Sequence, residues 1–157
     1  MELRIDLLKR LCDAFGPTGA EYNVRRAIKG ELSGYELDAY TDTQGAYIVH
    51  IKAENKPKLL ISAHMDEVGF MIDEICDDGT LHFSTVGGID PIVLPAKRVF
   101  AKKDDGTCLY GAIMSKPIHL QSKDERTKVV PTSELYINIG ADTCDEAQKL
   151  CSLGDLF

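Results

Sequence analysis

The sequence contains no run of five or more basic residues, and its charge is acidic overall. Eighteen Lys and Arg residues stand against 25 Asp and Glu, which gives a formal net charge of −7. A surface of that sign repels phosphate backbones and anionic lipid headgroups. We therefore predict that neither nucleic acid nor a membrane is a partner of this protein.

Long hydrophobic runs are missing as well. No segment approaches the ~20 apolar residues that cross a bilayer, and the opening MELRIDLLKRLC mixes charges of both signs with its apolar residues, unlike a secretion signal. The five cysteines form neither a C-x-x-C pair nor a compact set of disulfide spacings, and nothing marks one as a reactive thiol. These absences predict a cytoplasmic protein whose cysteines are small buried hydrophobic residues.

Residues 1–67 have the pattern of an α/β unit. Predicted elements are helices over 2–15 and 18–34 and strands over 35–40, 46–51 and 58–63. Thr18 and Glu21 have capping-box spacing at the start of the second helix. Each helix has one apolar face that needs a sheet to lie on. The segment 58–63 is continuously apolar after its lysine, which is typical of a central strand covered on both faces.

From Val68 the pattern changes to short strands separated by turn signals. These strands are predicted over 68–76, 80–86, 92–102, 108–114 and 134–140. Closely spaced hairpins of this kind predict a small antiparallel barrel or sandwich. Residues 115–133 hold two prolines and no periodicity, which predicts a long exposed loop. A last helix is predicted from the cap Thr143, with Glu146 three residues on, to Gly154.

The segment LLISAHMDEVGFMI, residues 59–72, places one imidazole and two carboxylates in an otherwise apolar run. Alternate residues of an extended chain point the same way, so His64 and Asp66 share a face and Glu67 points to the other. A carboxylate beside a histidine fixes its tautomer and leaves the second ring nitrogen free for a metal ion. We predict that His64, buried at a strand end, binds metal and that Asp66 orients it. A histidine bonded only to backbone is the alternative, because H-x-D is also common by chance.

Five stretches extend this motif across the whole sequence. They are GPTGAEYNVR (16–25), AHMDEVGFMI (63–72), VGGID (86–90), KPIHL (116–120) and ELYINIGA (134–141). In their order and spacing the sequence closely resembles the dinuclear zinc aminopeptidases, the family that includes glutamyl and deblocking aminopeptidases and tetrahedral, self-compartmentalising assemblies. Ala46 and Asn138 depart from that pattern, which commonly has asparagine and aspartate there, but neither position is a metal ligand.

The resemblance implies a metallo-aminopeptidase that releases N-terminal residues from peptides by zinc-activated water. It assigns His64 as a histidine ligand of one zinc ion and Asp66 as the catalytic acid that orients it. The implied cofactor is zinc, two ions in the complete site, with cobalt as the alternative metal.

The resemblance also implies a fold. Residues 1–67 would be the N-terminal part of a catalytic domain, a partial doubly wound α/β sheet with helices. Residues 68–141 would be an inserted β-barrel-like dimerisation domain, and 142–157 a final helix and the start of the return to the catalytic domain.

A complete site needs more ligands than this sequence supplies. In the family they lie after the inserted domain, so the resemblance implies a missing C-terminal half or a second chain as partner. A peptide substrate and further copies of the chain, bound through the β domain, are the other implied partners. His50 and His82 lie on strand patterns without a ligand counterpart, and His119 matches a family position in a loop with no assigned role.

Two other functions remain open at this point. One is a non-catalytic fragment or oligomerisation module, in which the loop 115–133 makes the contacts. The other is a glycoside hydrolase, which needs two facing carboxyl groups roughly 5–9.5 Å apart. Asp66 and Glu67 point to opposite sides of an extended chain, which disfavours the glycoside hydrolase.

Overall fold

The computed structural model of the protein describes residues 4–52, 56–103 and 105–157. This part of the chain forms two compact units, the first up to Glu67 and the second from Val68 to Phe157. Its helices are α1 (Ile5–Cys12), α2 (Tyr22–Leu32) and α3 (Cys144–Leu150), and its strands are β1 (Asp38–Thr41), β2 (Tyr47–His50), β3 (Gly69–Ile75), β4 (Leu81–Val86), β5 (Arg98–Lys102), β6 (Cys108–Met114) and β7 (Tyr136–Asn138). None of these helices combines the length and the apolar character that a membrane span requires.

The first unit contains α1, α2 and the antiparallel hairpin of β1 and β2, which lie within the predicted ranges except that β1 extends one residue further, to Thr41. Polar contacts of α2 connect these elements. Glu31 of α2 forms an ion pair with Arg10 of α1. Arg25 Nε donates to the carbonyl oxygen of Gly45, in the turn of the hairpin, at 3.0 Å. Helix α2 is therefore the element around which the first unit is arranged.

The apolar face of α1 is only partly covered in the described part of the chain, where Leu7 and Leu11 are half-buried. Helix α1 has no buried residue, and Ile5 and Leu8 are exposed. Helix α2 buries Val24. The prediction that both helices lie on a sheet is thus wrong for α1, because a two-stranded sheet is too small to bury a helix face.

The segment 58–63 is not a strand in the structure, which corrects the prediction of a central one. Leu59, Leu60 and Ile61 are 86%, 89% and 85% exposed. Among the described residues no strand pairs with this segment on either side. A continuously apolar strand is stable only where neighbours cover its faces and satisfy its backbone groups. The sequence pattern is therefore that of a covered strand, while its surroundings in this chain are open.

The predicted capping box at the start of α2 is also wrong. The helix begins after Glu21, which stands at the N-cap position without a side-chain cap. The Glu21 carboxylate instead accepts a hydrogen bond from the Gly19 amide at 2.7 Å. Gly19 has a φ of 91°, so the chain turns there and Thr18 lies outside the helix.

The second unit is built on one antiparallel sheet in the order β3-β4-β7-β6-β5. β3 and β5 lie at opposite edges, so the described strands do not close the barrel that the sequence predicts. The backbones of Phe70 and Phe157 exchange two hydrogen bonds, of 2.9 and 2.8 Å, so the end of the chain covers the edge of β3. Among the described residues of this unit, the hydrophobic ones with 1% exposure or less are Ile72, Leu81, Ile113, Leu135, Ile137 and Ala147. This cluster is the hydrophobic core of the unit.

Two hairpins of the second unit turn in the same way. The sequence CDDGT at 76–80 joins β3 to β4, and KDDGT at 103–107 joins β5 to β6. In each turn the threonine hydroxyl donates to the aspartate two residues before it, at 2.6 and 2.7 Å. In each the glycine takes a positive φ, 78° at Gly79 and 86° at Gly106. The sequence correctly predicts both turns because their chemistry is local.

The loop 115–133 is exposed, as predicted, but it is more ordered than its lack of periodicity indicates. Glu125 Oε2 accepts the Ser122 amide at 2.5 Å, and Ser122 Oγ accepts the Glu125 amide at 3.2 Å. Lys116 Nζ donates to Glu125 Oε1 at 2.9 Å. The reciprocal pair lies beside the start of the short helical turn Glu125–Thr127, whose N-cap residue is Asp124. One carboxylate thus connects both ends of the segment 116–125.

Protonation of Glu125 should open this loop in acid. The Ser122 amide and the Lys116 ammonium lower the pKa of Glu125 from 4.5 to about 2. Since the folded pKa lies below the unfolded value, the contact stabilises the loop above about pH 4.5 and is lost as pH falls through about 2. We expect the Ser122 amide resonance to titrate with a midpoint near pH 2 in NMR spectra, and Glu125→Gln to remove that step. A midpoint near 4.5 would contradict the contact.

The last helix begins where the sequence predicts and ends earlier. Thr143 Oγ1 accepts the Glu146 amide at 3.3 Å, which confirms the predicted cap. Helix α3 ends at Leu150 rather than at Gly154. Gly154, with a φ of 88°, donates its amide to the Ile72 carbonyl at 2.8 Å. The residues that follow α3 therefore form the edge pairing with β3 instead of a longer helix.

The five cysteines are all free thiols, but they are not all buried. Cys151 is buried, and burial raises the pKa of its thiol. Cys12 and Cys108 are exposed and the remaining two are half-buried. The prediction of uniformly buried cysteines is wrong because Cys12 lies on helix α1, which has no buried residue, and Cys108 lies at an exposed position of β6.

Candidate metal site

His64 and Asp66 are brought together as the alternation of an extended chain predicts. Nδ1 of His64 lies 3.1 Å from Oδ1 of Asp66 and 3.0 Å from the backbone oxygen of the same residue. Both oxygens are acceptors, so Nδ1 must carry the proton and donate. The lone pair is then on Nε2, which has no hydrogen-bond partner among the described residues. This is the tautomer that a metal ligand requires.

The predicted burial of His64 is wrong. The side chain of His64 is 85% exposed and that of Asp66 is 36% exposed. The physical reason is the open segment 58–63, which leads into His64 without neighbouring strands to cover it. The orientation of the ring is therefore set by local hydrogen bonds and not by packing.

Asp66 is itself held by a hydroxyl group from a distant part of the sequence. Thr18 Oγ1 donates to Asp66 Oδ2 at 2.7 Å. This hydrogen bond is the main reason why the pKa of the Asp66 carboxyl lies below its usual range, and the His64 imidazole acts in the same direction. Asp66 is therefore a carboxylate with one oxygen toward Thr18 and the other toward His64.

The carboxylate of Glu67 is hydrogen-bonded to the backbone of a distant residue, Gly16. Glu67 Oε1 accepts the Gly16 amide at 2.8 Å, and the Glu67 amide donates back to the Gly16 carbonyl at 3.0 Å. Pro17 and Glu67 form a parallel bridge. The two adjacent carboxylates are hydrogen-bonded to different groups, Asp66 to Thr18 and His64 and Glu67 to Gly16, which disfavours the facing pair of a glycoside hydrolase.

The residues 16–18 therefore form a short ladder with 66–67, and sequence reasoning missed it. Gly16 is the residue that permits the ladder to lie against α2, because a Cβ at this position would come within 2.5 Å of Val24 Cγ2. The available signal was the Gly-Pro-Thr sequence, which interrupts the helical pattern. The partner of such a turn, some 50 residues later, is not encoded by any local periodicity.

The donor set fits one ligand of a metal ion and no more within the described residues. No group of three or more His, Cys, Asp or Glu that could hold a metal occurs in 4–52, 56–103 and 105–157. His50 Nδ1 lies 3.6 Å from Asp38 Oδ2 on the β1–β2 hairpin. His82 lines a cleft of about 540 Å³ in the second unit, and His119 lies on an exposed turn.

Comparisons with known proteins agree with the motif. A family model described as M42 glutamyl aminopeptidase matches residues 45–157. The glutamyl aminopeptidase of Lactococcus lactis is 30% identical over 162 residues, covering 100% of this chain and 45% of that protein.

Two solved structures have the same fold over nearly all of the chain. A TET aminopeptidase from the archaeon Thaumarchaeota archaeon SCGC AB-539-E09 superimposes with a TM-score of 0.90 at 35% identity, covering 97% of this chain and 43% of that one. The TET1 peptidase of Pyrococcus horikoshii, which can assemble into a tetrahedron or a large octahedral shell, gives 0.85 at 36% identity, covering 97% and 45%. The chain spans less than half the length of each of these proteins.

Proposed function

The chain belongs to the M42 glutamyl aminopeptidase family, and from this membership we propose that it supplies the N-terminal portion of a metallo-aminopeptidase that releases N-terminal residues from peptides. The observation that carries the proposal is the His64–Asp66 pair, since its geometry leaves Nε2 of His64 available to a metal. His64 is then one ligand, and Asp66 is the acid that holds the ring and its Nδ1 proton.

Zinc is the metal we propose, with cobalt as the alternative, and when bound it supplies Lewis-acid polarisation of the scissile carbonyl and a lowered pKa of bound water. The residues of this chain act before and during that chemistry in two ways. Asp66 accepts a hydrogen bond from Nδ1–H, so that the neutral imidazole has its lone pair on Nε2. The ladder between 16–18 and 66–67 keeps the backbone of the pair in place while the substrate binds.

The remaining ligands and the carboxylate base must come from outside the described residues. We propose that they lie on the part of the relatives that this chain does not span, in the same polypeptide or on a second one. The exposed apolar segment 58–63 supports this, because added strands would cover it on both sides and turn the first unit into part of a doubly wound sheet.

For the second unit we propose the role of an inserted domain that joins copies of the chain. The support is the likeness to the Pyrococcus horikoshii peptidase, a protein that assembles into shells. A non-catalytic oligomerisation module is the alternative function. The two differ in whether His64 affects peptide hydrolysis, and light scattering measures the assembly independently of catalysis.

The purified chain alone is expected to release no N-terminal residues from peptides. One histidine cannot hold a catalytic zinc ion, which takes about three protein ligands and a water. The measurement is an assay with a panel of aminoacyl fluorogenic substrates in the presence of zinc or cobalt chloride. Turnover accompanied by tight, stoichiometric zinc binding would contradict the proposal that the remaining ligands lie outside this chain.

A further inference from the structure

Thr18 is the residue that fixes the direction of the Asp66 carboxylate. Its hydroxyl donates to Asp66 Oδ2 at 2.7 Å, while Oδ1 of the same carboxylate faces His64 Nδ1 at 3.1 Å. A carboxylate held at one oxygen has little freedom to rotate about its last torsion angle. The hydroxyl group of Thr18 therefore determines which oxygen of the Asp66 carboxylate faces the imidazole.

The backbone of Thr18 is tied to the same segment that it orients. The Thr18 amide donates to the Glu67 carbonyl at 3.2 Å, and the Glu67 amide donates to the Gly16 carbonyl at 3.0 Å. The Glu67 side chain adds a third bond, from the Gly16 amide at 2.8 Å. The hydroxyl thus approaches Asp66 from a rigid position, so that little entropy is lost when the hydrogen bond forms.

No packing replaces this constraint within the described part of the chain. The His64 side chain is 85% exposed, and the preceding residues Leu59, Leu60 and Ile61 are exposed as well. An exposed imidazole exchanges freely between its two neutral tautomers unless a hydrogen bond selects one. In this structure the selection comes from Asp66, whose backbone oxygen and Oδ1 both face His64 Nδ1, and Thr18 holds the carboxylate that carries Oδ1.

We propose that Thr18 is a positioning residue that fixes the tautomer of His64 through Asp66. Only the consequence of this role, that Nε2 is available to a metal ion, rests on the proposed function. It assigns a functional role to a hydroxyl that the sequence pattern attributes to a helix cap. Thr18 contacts neither a metal nor a substrate in this scheme and acts only through the carboxylate.

The test is the tautomer state of His64 in the metal-free chain, read from two-bond ¹H–¹⁵N spectra at about pH 8, where an unperturbed imidazole is neutral. The wild type is expected to hold mainly the Nδ1–H form.

Thr18→Val keeps the shape and removes the hydroxyl, and it should lower the ratio of Nδ1–H to Nε2–H by about threefold to tenfold, the size of one partly exposed hydrogen bond to a charged group. Thr18→Ser restores the hydroxyl and should return the ratio to within about twofold of wild type. An unchanged ratio in Thr18→Val, or a wild type without the Nδ1–H form, would overturn the proposal.

Two further measurements make the result independent of folding and of the proposed function. The Gly16 amide resonance reports whether the ladder is intact, and Thr18→Ala is used in place of Thr18→Val if that resonance is lost. Zinc chloride is then titrated while the His64 ring is observed, and the affinity of Thr18→Val should be about tenfold weaker, the loss typical of a residue that orients a metal ligand. If zinc binds His64 in no variant, the proposed function fails, while the tautomer ratios still decide the role of Thr18.

Discussion

Replacement of His64 by alanine is expected to lower peptide hydrolysis by about a thousandfold or more in an active preparation. Such a preparation contains this chain together with the polypeptide that follows the matched part in the relatives, joined or co-expressed. The reason is that a metal ion contributes several kcal/mol to the transition state, and each 1.36 kcal/mol is a factor of ten in rate. The rate at which N-terminal residues are released from peptides, measured at saturating metal for the wild type and for His64→Ala, gives the ratio of the two activities.

The matched control for this variant is His50→Ala. His50 belongs to the same unit and lies beside a carboxylate, Asp38, at 3.6 Å, but on the exposed β1–β2 hairpin. Its replacement should change the rate by less than about twofold, as for an exposed side chain outside the machinery. Equal effects of the two variants, or full activity of His64→Ala, would remove His64 from the proposed site and favour the non-catalytic module.

Replacement of Gly79 by alanine is expected to destabilise the second unit by about 3–5 kcal/mol. Part of this loss, about 1–2 kcal/mol, is the cost of a positive φ for a residue with a Cβ, since Gly79 has a φ of 78°. The rest is steric. A Cβ there would lie 2.6 Å from the Ala141 carbonyl oxygen and 3.0 Å from the Thr143 amide nitrogen. These are backbone atoms, so relief requires movement of the segment that precedes α3.

The similar hairpin turn at 103–107 provides an internal control for the steric part of the destabilisation. Gly106 occupies the same place in KDDGT and has a φ of 86°, but an added Cβ would meet nothing within 4 Å. Gly106→Ala should therefore cost only the conformational part, about 1–2 kcal/mol. Urea unfolding of the two variants, followed by circular dichroism, measures the difference. If both variants lose the same stability, the close approach of Gly79 to Ala141 is not a feature of the folded protein.

These two predictions concern the parts of the molecule that the sequence described best and least well. The hairpins of the second unit could be predicted because each turn is specified within five residues, by the aspartate, glycine and threonine that bond to one another. The cap of α3 is equally local, with Thr143 and Glu146 three residues apart. Local chemistry of this kind needs no knowledge of the rest of the fold.

The segment 58–63 shows why burial in the first unit could not be predicted in the same way. Its apolar composition is typical of a strand in the middle of a sheet, and such a strand needs neighbouring strands on both sides. Leu60 is instead 89% exposed in this chain. An apolar run thus predicts a strand that needs neighbouring elements to bury it. It does not predict whether this chain contains those elements. The burial of His64 was predicted wrongly for the same reason.

The candidate site was predictable in its nearest contact and not beyond it. The alternation of an extended chain places His64 and Asp66 on one face, and the structure has their side chains within 3.1 Å. The partner of Asp66 on its other side, Thr18, lies 48 residues earlier and matched a helix-cap pattern instead. A hydrogen bond between distant residues leaves no signal in hydrophobic periodicity, so only the three-dimensional structure identifies it.

We propose that His64, oriented by Asp66, is the metal ligand of this chain. The most direct test is a titration of the purified chain with zinc chloride, in which the ring resonances of its four histidines are followed by NMR. We expect zinc to shift and broaden His64 first, with a weak affinity, and this response to disappear in His64→Ala while His50, His82 and His119 stay unchanged. A response centred on another histidine, or one that persists unaltered in His64→Ala, would contradict the account.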